Sequence, residues 1–209
     1  MTRILSLAVL ASLPLLACTP NGDAAISAKG FSDNFNRKEL GDMWNNTGGG
    51  YSVRNNQLHI RGARNKPLWL KRKLPRNVRI EFDVTSDSTD GDIKVEVFGD
   101  GKSKAESLEY TATSYVVIFG GWHNSLNVIA RMNEHGHDRA EGPKFPVVTG
   151  HRYHIRIERK GSVISAWADE HLLASMDDSD PLEGRGHDHF AFNNWQSDLT
   201  LDNLKITPL

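Results

Sequence analysis

Val78-Arg79-Ile80-Glu81-Phe82-Asp83-Val84-Thr85 alternates apolar and polar residues without a break. Side chains two apart on a strand share a face, so Val78, Ile80, Phe82 and Val84 make one apolar side. Arg79, Glu81, Asp83 and Thr85 make the polar side. The same period recurs outward from this stretch. Ile93, Val95 and Val97 alternate with Lys94 and Glu96, and Tyr153, Ile155 and Ile157 with His154, Arg156 and Glu158. Leu199, Leu201, Leu204 and Ile206 predict a last strand with a bulge near Asn203. Shorter candidates lie at 51–53, 57–61, 68–71, 115–119, 127–131, 163–168 and 190–193. Turn-forming residues separate the runs: Asn55-Asn56, Thr89-Asp90-Gly91, Gly99-Asp100-Gly101, Lys160-Gly161 and Asp169-Glu170. No amphipathic helix of ten residues is evident. About a dozen short strands with polar turns predict one all-β domain, a two-sheet antiparallel sandwich or a barrel. No period of the length found in solenoids or propellers recurs.

The other decisive stretch is at the start. Met1-Thr2-Arg3 is short and basic, and 4–16 is almost unbroken apolar sequence. That run is shorter than the ~20 residues a spanning helix needs and matches the apolar region of a secretory signal. It ends at Leu15-Leu16-Ala17-Cys18, which resembles the bacterial lipobox, and Cys18 is the only cysteine. The resemblance implies a signal peptide over 1–17, a lipidated Cys18 as the mature N-terminus, and a polar tether to residue 29. The domain is then expected over 30–209. The protein is expected to be exported and lipid-anchored to a cell envelope. Thr19 in place of aspartate favours an outer membrane if the organism has one.

Cleavage after Ala17 removes one basic residue, Arg3, of 25, which leaves 24 basic against 26 acidic. Such a balance argues against a nucleic-acid partner, which requires a clustered positive field. About 180 residues suffice for one domain with a substantial core.

Four tryptophans, Trp69, Trp122, Trp167 and Trp195, fall in or beside strands whose second face is polar. An indole offers a flat apolar plate to the C–H face of a sugar. In order come Phe31-Ser32-Asp33-Asn34-Phe35, Leu40-Gly41-Asp42-Met43-Trp44, Tyr51-Ser52-Val53, Asn55-Asn56-Gln57-Leu58, Trp167-Ala168-Asp169 and Leu201-Asp202-Asn203-Leu204-Lys205-Ile206. This order resembles the concanavalin A-like lectin/glucanase superfamily, in its laminin-G-like and 3-keto-disaccharide-hydrolase-like branches. The resemblance implies a jelly-roll sandwich and a habit of binding carbohydrate. It implies no single reaction.

Retaining glucanases of that superfamily carry Glu-x-Asp-x-Glu on one strand, the carboxyls about 5–5.5 Å apart. Glu81-Phe82-Asp83 begins the pattern, but Thr85 stands where the partner carboxylate belongs. No acid/base pair is assignable. Two segments are richer in ligand-binding types: Gly120-Gly121-Trp122-His123-Asn124-Ser125 and the run 184–195, from Gly184 to Trp195. Glycines permit close backbone approach, indoles supply stacking plates, and amides bond vicinal hydroxyls. The expected glycan-binding set is Trp122, His123, Asn124, Arg131, His187, His189, Asn194 and Trp195, on one polar face. His187 and His189, two apart entering a strand, could reach one metal or one substrate; His135 and His137 lie in a polar loop, and a transition-metal site requires both pairs to converge. Asp33 and Asp202, near the two chain ends, are candidates for a structural calcium, as in related sandwiches. Three functions compete: a non-catalytic glycan-binding lipoprotein, a glycoside hydrolase-like enzyme acting on a disaccharide or oligosaccharide, and a structural or adhesive envelope domain.

Overall fold

The computed structural model describes residues 23–209; the expected signal peptide and Cys18 lie outside them. Fifteen strands follow one another: β1 (Phe31–Asp33), β2 (Trp44–Asn46), β3 (Tyr51–Arg54), β4 (Gln57–Arg61), β5 (Leu68–Leu70), β6 (Val78–Ser86), β7 (Ile93–Gly99) and β8 (Tyr115–Gly120). Then come β9 (Leu126–Arg131), β10 (Arg139–Glu141), β11 (Arg152–Lys160), β12 (Val163–Ala168), β13 (His171–Asp177), β14 (His189–Asn193) and β15 (Asp198–Pro208). They form two antiparallel sheets. The first runs β13-β12-β11-β6-β15-β4-β3, with β1 also on β15; the second runs β10-β9-β8-β7-β14-β5-β2. The all-β two-sheet sandwich expected from the alternation is the observed architecture.

β6 is central to the first sheet, and its burial alternates residue by residue as its sequence does. β15 pairs with β4 through Asp198–Leu201 and with β1 through Leu204–Ile206, and its register on β6 shifts between Asp202 and Lys205. Asn203 sits there at φ 54°. The expected bulge is the point where one strand changes partner on the same edge.

The apolar faces of the two sheets meet in one core. Phe192 stacks on Trp44 at 5.6 Å and meets Phe82 edge-on at 5.3 Å, while Phe119 meets Tyr153 at 5.0 Å. The packed chain also begins before Gly30. Ile26 donates to the Lys73 carbonyl at 2.9 Å, Lys73 to that of Ala24 at 3.0 Å, and the Ile26 side chain joins the core. Its apolar side chain gains by burial what a solvated tether would forgo.

The second sheet is the unusual one. β7, β8 and β14 are buried on both faces. Ile93, Val95 and Val97 point into the core, so Lys94 and Glu96 point outward, yet both are buried. The segments around Tyr110 and Glu134 cover this outer face. A small apolar cluster of Ala112, Val116 and Ile118, with Tyr110 and Trp122 against it, lies beneath them.

Candidate functional site

The covered face opens at one end into a cleft of about 360 Å³. Trp122, Trp195, Leu108 and Ile118 supply its apolar walls; Asn65, Asp92, Lys94 and Glu134 supply its polar floor. Asp90, His123 and His135 stand at the same opening.

Trp122 is placed by an uncommon turn. Gly120 has φ 72°, and Trp122, His123 and Asn124 follow at 48°, 55° and 61°, all left-handed. Side chains other than glycine adopt this region at a cost of roughly 1–2 kcal/mol each, least for asparagine. Asn124 pins the turn. Its amide donates to the Val147 carbonyl at 2.8 Å and the Thr89 carbonyl at 3.3 Å, and its oxygen accepts from the Val147 N–H at 2.7 Å. Arg139 lies 5.2 Å from the Trp122 ring centroid, and the His135 ring meets Trp122 edge-on at 5.7 Å. Of the two glycines, Gly121 lines the cleft and Gly120 lets two turns approach closely. A Cβ on Gly91 would lie 2.5 Å from the Gly120 carbonyl oxygen, and one on Gly120 would lie 2.6 Å from the Asn124 side chain.

Trp195 is held in a comparable way. Its N–H donates to the Asp92 carboxylate, and its carbonyl accepts from Arg64 at 2.9 Å. The fully buried Asn194 accepts from the Ala63 N–H at 2.7 Å and donates to the Ser197 carbonyl. Asn124 and Asn194, expected to bind ligand, spend their amides on backbone. Each positions the tryptophan near it in sequence.

The floor is a buried ionic network. The Lys94 ammonium donates to Glu134 at 2.8 Å and to Asn65 at 3.0 Å, with Asp92 at 3.9 Å. Burial works to lower the Lys94 pKa, but Asp92 and Glu134 outweigh it and hold the amine protonated. Burial raises Asp92 above the ordinary carboxylate range, against the pull of Lys94. One step further in, Glu96 accepts from Ser114 at 2.6 Å, Asn193 at 2.9 Å and Tyr110 at 3.1 Å. Burial still pushes Glu96 up to about 7, because those bonds and Lys94 do not fully replace water.

Arg131, His187 and His189 lie elsewhere. In register, Arg131 faces Tyr115 and His189 faces Gly99, whereas Lys94 faces Asn193 and Ile118. Gly99 lies five positions along β7 from Lys94, about 17 Å at strand rise. Arg131 pairs with Asp178 at 3.0 Å, and His187 donates to the Thr113 carbonyl at 2.6 Å. His189 lies between Asp188 at 2.7 Å and Asp23 at 3.1 Å. The eight expected residues therefore divide: Trp122, His123 and Trp195 line the cleft, Asn124 and Asn194 support it, and three sit at the far end of the sheet.

The metal expectations fare differently from the aromatic ones. Asp33 gives both carboxylate oxygens to Arg37, at 2.6 and 2.8 Å, and one also to the Trp44 N–H at 2.8 Å. Asp202 accepts from the Asn203 N–H at 2.8 Å. With the Asp33 carboxylate so engaged, the pair does not fit a calcium site. Among the described residues no three His, Cys, Asp or Glu side chains group to hold an ion, the two His-x-His pairs included. Glu81 and Asp83 face outward on the first sheet. Asp83 accepts from Arg152 at 2.7 Å, Asn203 at 2.8 Å and His154 at 2.9 Å. Partial burial raises its pKa, but these three bonds outweigh it and hold it low. This is a network of charges on a sheet surface.

Sequence reasoning missed Asp92, Lys94, Glu96 and Glu134. A signal was present: 115–119 is apolar at every position, which marks a strand covered on both faces. Charges on its neighbour must then be buried.

No protein-family model matches the chain, and no curated protein matches its sequence. Solved structures do resemble it. The carbohydrate-binding module CBM66 from Bacillus subtilis aligns with TM-score 0.60 and 15% identity over 79% of this chain and 95% of that one. A candidate glycosyl hydrolase of Parabacteroides distasonis gives 0.56 and 16% over 84% and 92%. The exoplasmic/lumenal domain of VIP36, in a Ca2+- and mannose-bound form, gives 0.64 and 9% over 85% and 89%. At these identities the likeness defines the fold, a lectin-like β-sandwich.

Proposed function

We propose that this is an envelope lipoprotein that binds glycan, without catalysis, in the cleft between Trp122 and Trp195. The observation that carries the proposal is the composition of that cleft. Two indoles flank a floor of fixed carboxylates and amides, and a sugar presents an apolar face together with a rim of hydroxyls. CBM66 is a carbohydrate-binding module and VIP36 was solved with mannose, so sandwiches of this shape do take sugars. The burial of Glu96 favours binding over hydrolysis. Its pKa would suit a general acid, but its carboxylate is sealed beneath Tyr110, Ser114 and Asn193. One carboxylate oxygen of Glu134 is committed to Lys94. Calcium is assigned no residues in this reading.

The anchor rests on the sequence of residues 1–18. Among the described residues no helix is long and apolar enough to cross a membrane. Attachment through lipidated Cys18, on the outer membrane where the organism has one, leaves the sandwich in water.

The test is a glycan array probed with the full-length chain, with and without calcium, followed by calorimetry on any hit. Trp122→Ala and Trp195→Ala should each weaken binding by about 1–3 kcal/mol, the scale of one large apolar side chain. A chain that binds no glycan, or that turns over a disaccharide and stops on Glu134→Gln, would overturn the proposal.

A further inference from the structure

Charge in the cleft is one-sided. Asp90, Asp92 and Glu134 line it with carboxylates, against the single ammonium of Lys94. Lys94 is 3% exposed. It donates to Glu134 at 2.8 Å and Asn65 at 3.0 Å, and the Asp92 carboxylate lies 3.9 Å away as an ion-pair partner. Arg139, stacked on Trp122, turns its guanidinium to Glu141 at 2.6 Å and the Glu134 carbonyl at 3.0 Å. An anionic sugar would meet carboxylates here with no cation left to receive it.

Capacity to accept hydrogen bonds is unspent. Asp90 is 59% exposed along its side chain and meets His123 at 3.4 Å. The second oxygen of Glu134 lies 3.6 Å from His135, beyond hydrogen-bonding distance. Ser197, 2% exposed and part of the cleft lining, has a buried hydroxyl with no partner among the described residues. A buried hydroxyl left unpaired is unfavourable, so its position in a cleft points to a polar ligand. The Trp195 indole adds a face that attracts a cation, as that of Trp122 already does for Arg139.

We propose that the glycan taken by this cleft carries a free primary amine, as in a de-N-acetylated hexosamine, and binds as the ammonium. The inference rests on the glycan-binding reading above. The ammonium would sit between Asp90 and the free oxygen of Glu134, with the sugar ring against an indole and a ring hydroxyl or the amine on Ser197. An N-acetyl group on the same nitrogen removes the charge and adds bulk. A uronate replaces attraction with repulsion.

Calorimetry on the full-length chain tests this with four probes at low salt: a glucosamine oligosaccharide, its N-acetylated form, a glucose oligomer and a glucuronate-bearing oligomer. The glucosamine oligomer should bind at least about tenfold tighter than the N-acetylated form, the ratio one charge-assisted hydrogen bond supports. The preference should shrink as salt is raised. Asp90→Asn should narrow the ratio of amine to neutral affinity by about threefold or more, as loss of one partly exposed charge predicts. Equal affinity for the amine and N-acetyl forms, or preference for the uronate, would overturn the proposal while leaving glycan binding intact. Butylamine binding as tightly as the amino sugar would overturn it too, since the sugar would then contribute nothing. Failure of all four oligosaccharides would end both this inference and the reading beneath it.

Discussion

His123 sits at φ 55° and ψ 47°, in the middle of three successive left-handed residues. Its side chain is 91% exposed and, among the described residues, its one polar partner is Asp90, at 3.4 Å. Replacement by glycine therefore removes strain and almost no packing. An L-residue in this region costs roughly 1–2 kcal/mol. Glycine avoids that cost but adds freedom to the unfolded chain, worth roughly 0.5–1 kcal/mol in the other direction. An ion pair this exposed contributes little. The net expectation is that His123→Gly stabilises the protein by about 0.5–1 kcal/mol. His123→Ala keeps the strain and loses the same side chain, so it should stay within about 0.5 kcal/mol of the parent. Urea unfolding followed by tryptophan fluorescence reads both as a change in midpoint at constant slope. If the glycine variant is no more stable than the alanine variant, the turn is not strained as described. A stabilised glycine variant that binds glycan less well than the alanine variant would show that the strain serves to hold Trp122 over the cleft.

Glu96 gives a pH dependence with a definite sign. Between its ordinary value of 4.5 and about 7, the folded chain holds a proton that the unfolded chain has released. Stability should therefore fall as pH rises through that window, by about 3 kcal/mol in all. Glu96→Gln should flatten the trend, and equal parental stability at pH 5 and pH 8 would refute it. Asn124→Ala removes the three bonds that pin the left-handed turn and should cost about 2–4 kcal/mol in the same urea assay. Trp69 is fully buried with its N–H on the Ser103 carbonyl at 2.9 Å, so Trp69→Ala should cost about 3–5 kcal/mol by thermal or urea unfolding. Cys18→Ala should move the protein out of the membrane fraction or stall its processing; an unmodified Cys18 in the mass spectrum of the native protein would refute the anchor.

The fold was legible because its signal is local. Val78–Thr85 declares a strand and its inner face with no knowledge of any neighbour. Even the bulge at Asn203 follows from Leu201 and Leu204 standing three apart where a regular strand requires two. The site was only half legible, because it depends on which strand ends meet. Gly120-Gly121-Trp122-His123-Asn124 reads as a binding loop, and Trp122 does line the cleft. The fate of Asn124 is decided by Val147, which the sequence places beyond an irregular stretch. His187 and Trp195 are eight residues apart in one run, and they lie at opposite ends of the strand between them. Composition grouped what strand direction separates.

The buried charges show a second limit, which concerns faces. Period-two alternation sorts side chains into two sets but does not say that either set meets water. In β6 the polar set remains partly accessible; in β7 the same pattern of Ile93, Val95 and Val97 against Lys94 and Glu96 leaves both charges sealed. The difference comes from the neighbours. β8 offers Val116 and Ile118 on the outer face beside Lys94 and Glu96, and an apolar outer face requires a cover. The segment carrying Tyr110 and that carrying Glu134 provide it, and each brings a polar group to the charges it covers, at 3.1 Å to Glu96 and 2.8 Å to Lys94. Covering stops at the cleft lined by Trp122, which packs against that apolar cluster, and by Trp195. The cleft is thus the open end of a face that is otherwise closed, and its polar floor is the edge of a buried network. A ligand there would meet groups already fixed in place, which is how a small cleft can hold a sugar without reorganising.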